Sequence, residues 1–304
     1  MQQNLKVSVC MITYGHEKFI EEAINGVLMQ ECDFDVELII ANDCSPDKTH
    51  EVIQNIIKTH PKASWIKYFR HEKNIGMLPN ALFIFEQATG KYIANCEGDD
   101  YWIDNQKLQK QVGFLESNLD YVIHSSAALI HSDDKNDNTV FGFNENKFIL
   151  SIEDFYTQNN LITATSVFRR MNLNYPDFIY DIKFFDWFTY IVLLKQSNLK
   201  VFISNEVYAT YRVHDGGVMK SLDTIEINKT YINQIIRIKE FLKLEQYSED
   251  DYKNINKYSI SKFRALIDAK LYFEGLKTFL CNLKLSKSKI QLKKYAKYLF
   301  TRKI

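Results

Sequence analysis

Apolar residues along this chain come in short β-branched runs alternating with stretches of helical repeat. Positions 6–13 (Lys-Val-Ser-Val-Cys-Met-Ile-Thr) suit a central strand and break at Tyr14-Gly15-His16. Ile20, Ala23, Ile24, Val27 and Leu28 then share one face of an amphipathic helix. The pattern recurs. Positions 36–41 predict a strand that stops at the turn-rich Asn42-Asp43-Cys44-Ser45-Pro46-Asp47-Lys48-Thr49, before a helix carrying Val52, Ile53, Ile56 and Ile57. A third strand is expected at 65–69, then a loop at 71–77 and a helix over 79–89 that opens on Pro79 and stops at Gly90. A fourth, at 92–96, empties into Glu97-Gly98-Asp99-Asp100-Tyr101-Trp102.

Strands alternating with helices at this spacing imply right-handed crossovers and an α/β domain with a mostly parallel central sheet flanked by helices. Further on, the pattern predicts a helix at 106–118, a strand at 121–130 and a polar, mobile connector at 132–138. It then predicts a helix start at 151–154, a β-like stretch at 163–168 and an aromatic helix at 186–194 with Asp186 in its first turn. Two short strands follow, at 200–203 and 207–213. After Met219 the texture changes to long helical segments. We therefore expect a first domain over 1–220 and a helical, basic C-terminal extension over 221–304. Neither GxGxxG nor GxxxxGK[ST] follows the first strand, so a nucleotide would have to be held by other means.

Composition narrows the class. With 46% hydrophobic residues, only 10 Gly and 4 Pro in 304 residues, the chain has material for a large core and no sign of disorder. No apolar run is long enough to span a bilayer and the start has no secretion-signal pattern, while five scattered cysteines suggest neither a disulfide framework nor structural zinc. A cytoplasmic protein is expected. Formal net charge is zero, yet the last 28 residues hold nine Lys or Arg and no acid, leaving an acidic body unsuited to general nucleic-acid binding.

The acidic loop after the fourth strand is the chief candidate for chemistry. Ligands of open α/β sheets bind outside the carboxyl ends of strands. Three carboxylates within four residues repel one another unless a cation or cationic side chain takes up the charge. As a solvated loop with Asp104 capping the next helix, the stretch would need no ligand.

The ordered blocks 7–14, 42–49, Asn74-Ile75-Gly76, 90–93, Glu97-Gly98-Asp99-Asp100, Asp186-Trp187 and Tyr211-Arg212-Val213-His214 resemble the family 2 glycosyltransferases, over about the first 217 residues. The resemblance implies the GT-A fold and inverting transfer of a sugar from a nucleotide-diphosphate donor, most simply a UDP-sugar. The acceptor it implies is a glycan or lipid-linked molecule of bacterial surface polysaccharide synthesis. It places Thr13 and Tyr14 against the base and Asp43 at the base imide. Glu97 falls at the ribose or a metal-bound water, and Asp99 on a Mn²⁺ or Mg²⁺ ion. Asp100 would orient the loop or touch the donor sugar, and His214 would reach the metal or diphosphate. Thr165, Ser166 and Trp187 fall on the acceptor side and Asp186 is the catalytic base, with Asp181 its nearest competitor. Two departures stand out: Glu97 is one methylene longer than the usual first acid, and Pro79 stands where many relatives carry Arg, leaving Lys73 to supply that charge.

Two alternatives remain open at this stage, a non-catalytic sugar-nucleotide-binding scaffold and a metal-dependent nucleotidyltransferase. In the tail, Leu292, Tyr295, Ala296 and Leu299 share one helical face while Lys293, Lys294 and Lys297 share the other. That pattern predicts peripheral membrane contact, or packing on the body or a second subunit.

Overall fold

The computed structural model describes residues 6–132, 135–142, 148–217, 220, 222–285 and 294–295. They form two compact units. The first comprises 1–153, 159–175 and 185–214; the second takes 154–158, 176–184 and 215–304.

The first unit is built on one sheet. β1 (Lys6–Thr13) pairs in parallel with β2 (Asp35–Asn42) and with β4 (Tyr92–Asn95), and β2 with β3 (Ile66–Arg70). Beyond β4, β9 (Val167–Arg169) runs antiparallel and bridges to β6 (Tyr121–Ser132). β6 pairs in parallel with β10 (Lys200–Val213), and β5 (Tyr101–Trp102) closes the path against β10. Along β3-β2-β1-β4-β9-β6-β10-β5, six strands share one direction and only β9 and β5 oppose it. The helices are α1 (Ile20–Leu28), α2 (Thr49–Thr59), α3 (Met77–Gln87), α4 (Lys107–Ser117) and α5 (Phe185–Ser197). Val7, Val9 and Met11 of β1 pack with Ile20, Ile24 and Val27 of α1 and with Leu108, Val112 and Leu115 of α4. Val7, Val9 and Met11 share one face of β1; on the other face Ser8 and Cys10 are buried too, as a central strand requires.

Several sequence expectations change. The polar connector at 132–138 is largely a hairpin: β6 extends to Ser132, and Lys135–Phe141, though polar, forms β7 antiparallel to it. The stretch 163–168 splits into a 3-10 turn over Thr163–Thr165 and the short β9, and the helix start near 151 is a single 3-10 turn, Ile152–Phe155. The two strands after α5 are one, because shifts in register around Ser204, Val207 and Ala209 let β10 continue past the polar Asn205-Glu206. β8 (Ile149–Leu150) also pairs with β10.

In the second unit α6 (Thr224–Leu242) starts at Asp223, whose carboxylate accepts the N–H groups of Ile225 and Glu226. α7 (Glu249–Asp268) opens with a Ser248/Asp251 capping box and is followed by α8 (Tyr272–Leu285). Of the expected interfacial helix only Lys294 and Tyr295 are described. Tyr295 is buried between Phe263 and Phe279, ring centroids 4.7 and 5.0 Å away, so that position faces its own unit. The remaining positions of that pattern lie outside the described residues. Among the described residues no helix is long and apolar enough to cross a membrane.

One buried group opposes folding. Lys107, the first residue of α4, is fully buried over the Trp102 ring at 4.1 Å and its ammonium has no hydrogen-bond partner. Burial pulls its pKa down to about 7 against the charges of Cys96 and Asp104. Lys107→Met keeps the stem and removes the stranded amine, so its thermal midpoint should exceed that of the wild type by at least about 2 °C near neutral pH. The excess should shrink as pH rises towards the ordinary lysine pKa, because deprotonation removes the same cost from the wild type. A lower midpoint in scanning calorimetry would mean that the amine makes a net favourable contribution.

Candidate active site

Because β1, β2, β4 and β10 point the same way, Thr13, Asp43, Glu97 and His214 all emerge at one edge of the sheet. The loops there are stitched together. Gly15, at φ 73°, donates its N–H to Ser45 Oγ at 3.0 Å, His16 N–H donates to Thr49 Oγ1 at 2.9 Å, and Glu17 N–H to Asp47 Oδ2 at 2.9 Å. The acidic loop is pressed onto the end of β1, with Gly98 N–H donating to Ile12 O at 3.0 Å. A Cβ at Gly98 would lie 2.6 Å from Thr13 Oγ1 and 3.0 Å from His16 Nδ1, so only glycine fits.

Asp99 is the centre of the arrangement. Its side chain is 24% exposed, and its Oδ2 lies 3.3 Å from His214 Nε2 and 3.7 Å from His16 Nε2. Burial alone would raise its pKa, but the two imidazoles hold it below the ordinary carboxylate value. Its neighbours go the other way. Burial, then repulsion from Asp99, Asp100 and Asp186, holds Glu97 well above the usual range, and Asp100 is raised by burial and by Asp99. Asp100 Oδ1 accepts the backbone N–H of Arg212 at 3.0 Å, while its Oδ2 is buried with no partner. Asp100 therefore orients the loop and is too buried to face a sugar directly.

Asp186 is the second residue of α5, and its Oδ2 accepts from Asn159 Nδ2 at 2.8 Å and Thr163 Oγ1 at 2.9 Å. Burial raises its pKa, opposed by the N–H of Trp187 and by Thr163 and Asn159. Asp181 belongs to the second unit and pairs there with Arg237. Glu97 lies within the field of Asp186, as does Tyr211, whose hydroxyl is raised by burial and then by Asp100, Glu97, Asp99 and Asp186. The edge thus gathers four carboxylates around one tyrosine.

Other expected residues behave differently. Tyr14 is 48% exposed and Thr13 buried, so the ring can form a wall and the hydroxyl cannot. Asp43, expected at a base imide, is 3% exposed; Ile75 N–H donates to one of its oxygens at 2.7 Å and Gly76 N–H to the other at 2.9 Å, which leaves acceptor capacity on both. It shapes the loop before α3. Lys73 is exposed in that loop. Thr165, Ser166 and Trp187, expected on the acceptor side, are fully buried. Thr165 Oγ1 meets Ser125 Oγ at 2.7 Å, and Ser166 Oγ accepts from Tyr190 Oη at 2.9 Å, a layer behind Asp186.

Sequence reasoning missed His16, Asn159, Tyr211 and Arg212 as parts of this site. Arg212 is a clamp: its guanidinium donates to Asp99 O at 2.8 Å, pairs with Glu22 and lies over the Tyr101 ring at 4.3 Å. Tyr211 and Arg212 stood inside a quoted block, and His16 inside a quoted turn, so a signal was there; Asn159 gave none. Among the described residues no three His, Cys, Asp or Glu side chains stand ready-made around a metal position.

Comparison with known proteins bears on the family and the fold. The profile of Glycosyl transferase family 2 matches residues 8–174. An uncharacterized protein of Mycobacterium tuberculosis is 30% identical over 218 residues, covering 72% of this chain and 62% of the relative, so the chain matches about three fifths of that protein's length. A Bacillus subtilis protein named as a teichuronic acid biosynthesis glycosyltransferase is 30% identical over 154 residues, 45% of this chain and 59% of its own. Among solved structures, Staphylococcus aureus TarS 1-349 in complex with UDP-GlcNAc superposes with a TM-score of 0.58 at 17% identity, over 85% of this chain and 73% of that one. A Pyrobaculum calidifontis mannosyltransferase in complex with GDP-Man and Mn²⁺ gives 0.56 at 14% identity, over 99% and 89%. These two likenesses concern the fold. With the profile spanning more than half of the sequence, the chain belongs to glycosyl transferase family 2.

Proposed function

We propose that this protein is an inverting, metal-dependent glycosyltransferase that moves a sugar from a UDP-sugar to a glycan or lipid-linked acceptor in bacterial surface polysaccharide synthesis. The observation that carries the reading is Asp99, partly exposed and bracketed by two imidazoles, at a sheet edge that also holds the anchored carboxylate of Asp186. The teichuronic acid relative supports the acceptor class, and the UDP-GlcNAc complex of a like fold supports the donor.

The residues fit a divalent ion. Four crowded acids, one with an orphaned buried oxygen, form a charge cluster that a cation would relieve, and Asp99 and His214 are the side chains placed to hold it. Bound there with the donor's diphosphate, Mn²⁺ or Mg²⁺ would supply charge neutralisation of the leaving group. Tyr14 offers an exposed ring as a wall for the base, and Asp43 sets that pocket by fixing the backbone of Ile75 and Gly76. Asp186 takes the acceptor hydroxyl's proton. Asn159 and Thr163 fix its rotamer, and burial makes it a stronger base than a solvated aspartate. Working beside an anionic leaflet through the basic C-terminal segment is part of the same proposal.

A nucleotide-sugar panel tests the donor by thermal shift with MnCl₂ present. A ligand at a hundred times its dissociation constant stabilises by about 2.7 kcal/mol, so the matching UDP-sugar should raise the midpoint by several degrees and its GDP counterpart by less. If no nucleotide sugar moved the midpoint, the donor-binding reading would fall.

A further inference from the structure

We infer that the outer face of α8 is the surface by which this protein lies on an anionic lipid bilayer; this deepens the reading above, that the chain works beside such a leaflet, and rests on it. Tyr272, Phe273, Leu276, Leu280 and Leu283 recur at helical spacing along one side of α8, each between 41% and 63% exposed. Exposed apolar side chains scattered singly need no explanation, whereas these five form a continuous stripe. The helix cannot roll to hide them. Gly275, Thr278 and Asn282 are buried on its other side: a Cβ on Gly275 would lie 2.9 Å from Ile267 Cδ1, and Asn282 Nδ2 donates to Asn256 Oδ1 and to Tyr295 Oη, both at 2.9 Å.

Charge says which occupant fits the stripe. At helical spacing Lys277 and Lys284 border it, and Lys277 Nζ lies 4.4 Å over the Phe273 ring, which sets the ammonium at the edge of the apolar surface. Glu274, the one acid of α8, falls beyond these lysines and away from the stripe. From Lys277 onward the sequence holds nine Lys or Arg and no acid. A second copy of this chain docked on the stripe would set that charge against itself. An anionic leaflet takes up both the apolar side chains and the positive flank. The tail helix expected from sequence does not offer its apolar face at Tyr295, which turns inward onto Phe263 and Phe279, so α8 supplies the exposed one.

The test is sedimentation of the full-length protein with phosphatidylcholine vesicles and with mixed phosphatidylcholine–phosphatidylglycerol vesicles. The proteins are wild type, the double variant Leu276→Gln with Leu280→Gln, and Leu119→Gln, which changes an exposed leucine of the other unit. Glutamine keeps the charge and the helix propensity, so thermal midpoints without lipid should match. Wild type should bind the mixed vesicles at least about tenfold more tightly than the neutral ones, and the double variant should lose at least about tenfold of that affinity. Leu119→Gln should bind as wild type does. Equal binding by wild type and the double variant overturns the role of α8 and leaves the leaflet reading in place; no binding by wild type removes both. A wild-type dimer in light scattering that becomes monomeric in the double variant, without vesicle binding, gives the stripe to a second copy. A midpoint lowered by the double substitution, with vesicle binding unchanged, gives it to another part of this chain. Nucleotide-sugar stabilisation measured without lipid tests the transferase reading separately in every case.

Discussion

Asp186→Asn is expected to lower turnover by at least about a hundredfold while donor and metal binding stay near those of the wild type. Inversion needs a base on the face of the sugar opposite the leaving diphosphate, and Asp99 with its imidazoles occupies the leaving-group side in this reading. Asn159 and Thr163 both donate to Oδ2 of Asp186, so the amide can keep either bond through its own oxygen and the rotamer is preserved. What disappears is the proton acceptor. Because burial raises the pKa of Asp186, the wild-type rate should fall as pH drops through a value above the ordinary 3.8, since only the ionised form is a base. That acid limb should be missing from the residual rate of the variant. Near-normal turnover in Asp186→Asn together with an inactive Asp181→Asn would transfer the role, although Asp181 is engaged with Arg237 in the other unit. Normal donor binding with no turnover in the wild type would instead support the scaffold alternative.

How far this was legible from the sequence depends on what each feature rests upon. β1, β2 and α1 were readable almost to the residue because a strand buried on both faces and a one-faced helix each leave a period in the sequence. β9, three residues long, was legible only as the end of a longer β-like stretch, and the polar β7 left no period; their place is set by the neighbours they pair with, β4 and β6. The carboxylates at the sheet edge were readable because three acids within four residues at a strand's carboxyl end repel one another unless something takes up the charge. Thr165, Ser166 and Trp187 sit in matching blocks too, but a block shows only that a position matters. The structure adds that both hydroxyls are buried and bonded to Ser125 and Tyr190. The buried carboxylate of Asp43 likewise accepts two backbone N–H groups of the neighbouring loop, contacts that no block in the sequence announced.

Asp99→Ala should cost transfer about a thousandfold or more and leave the fold intact. Asp99 is the carboxylate on which His214 and His16 converge, and the only acid of the loop whose pKa its surroundings lower, so it is the one that stays charged and presents that charge to solvent. No core contact is lost with it. Removal also takes away the repulsion that raises Glu97 and Asp100, which offsets the lost imidazole contacts, so the thermal midpoint should change by no more than about 3 °C. Arg212 still clamps the loop, because it holds the backbone carbonyl of residue 99 and the carboxylate of Asp100 holds the Arg212 N–H; neither bond uses the deleted side chain. The loop therefore keeps its shape while losing its charge, which separates a role in holding a cation from a role in folding. Rates are to be measured for wild type and variant with added Mn²⁺ and with a chelator. Wild type should fall to the level of the variant when the ion is removed, and the variant should not respond to either addition. A variant that kept near-normal turnover in chelator would show that Asp99 holds no essential metal, and the leaving group would then have to be stabilised by His16, His214 or another cationic group.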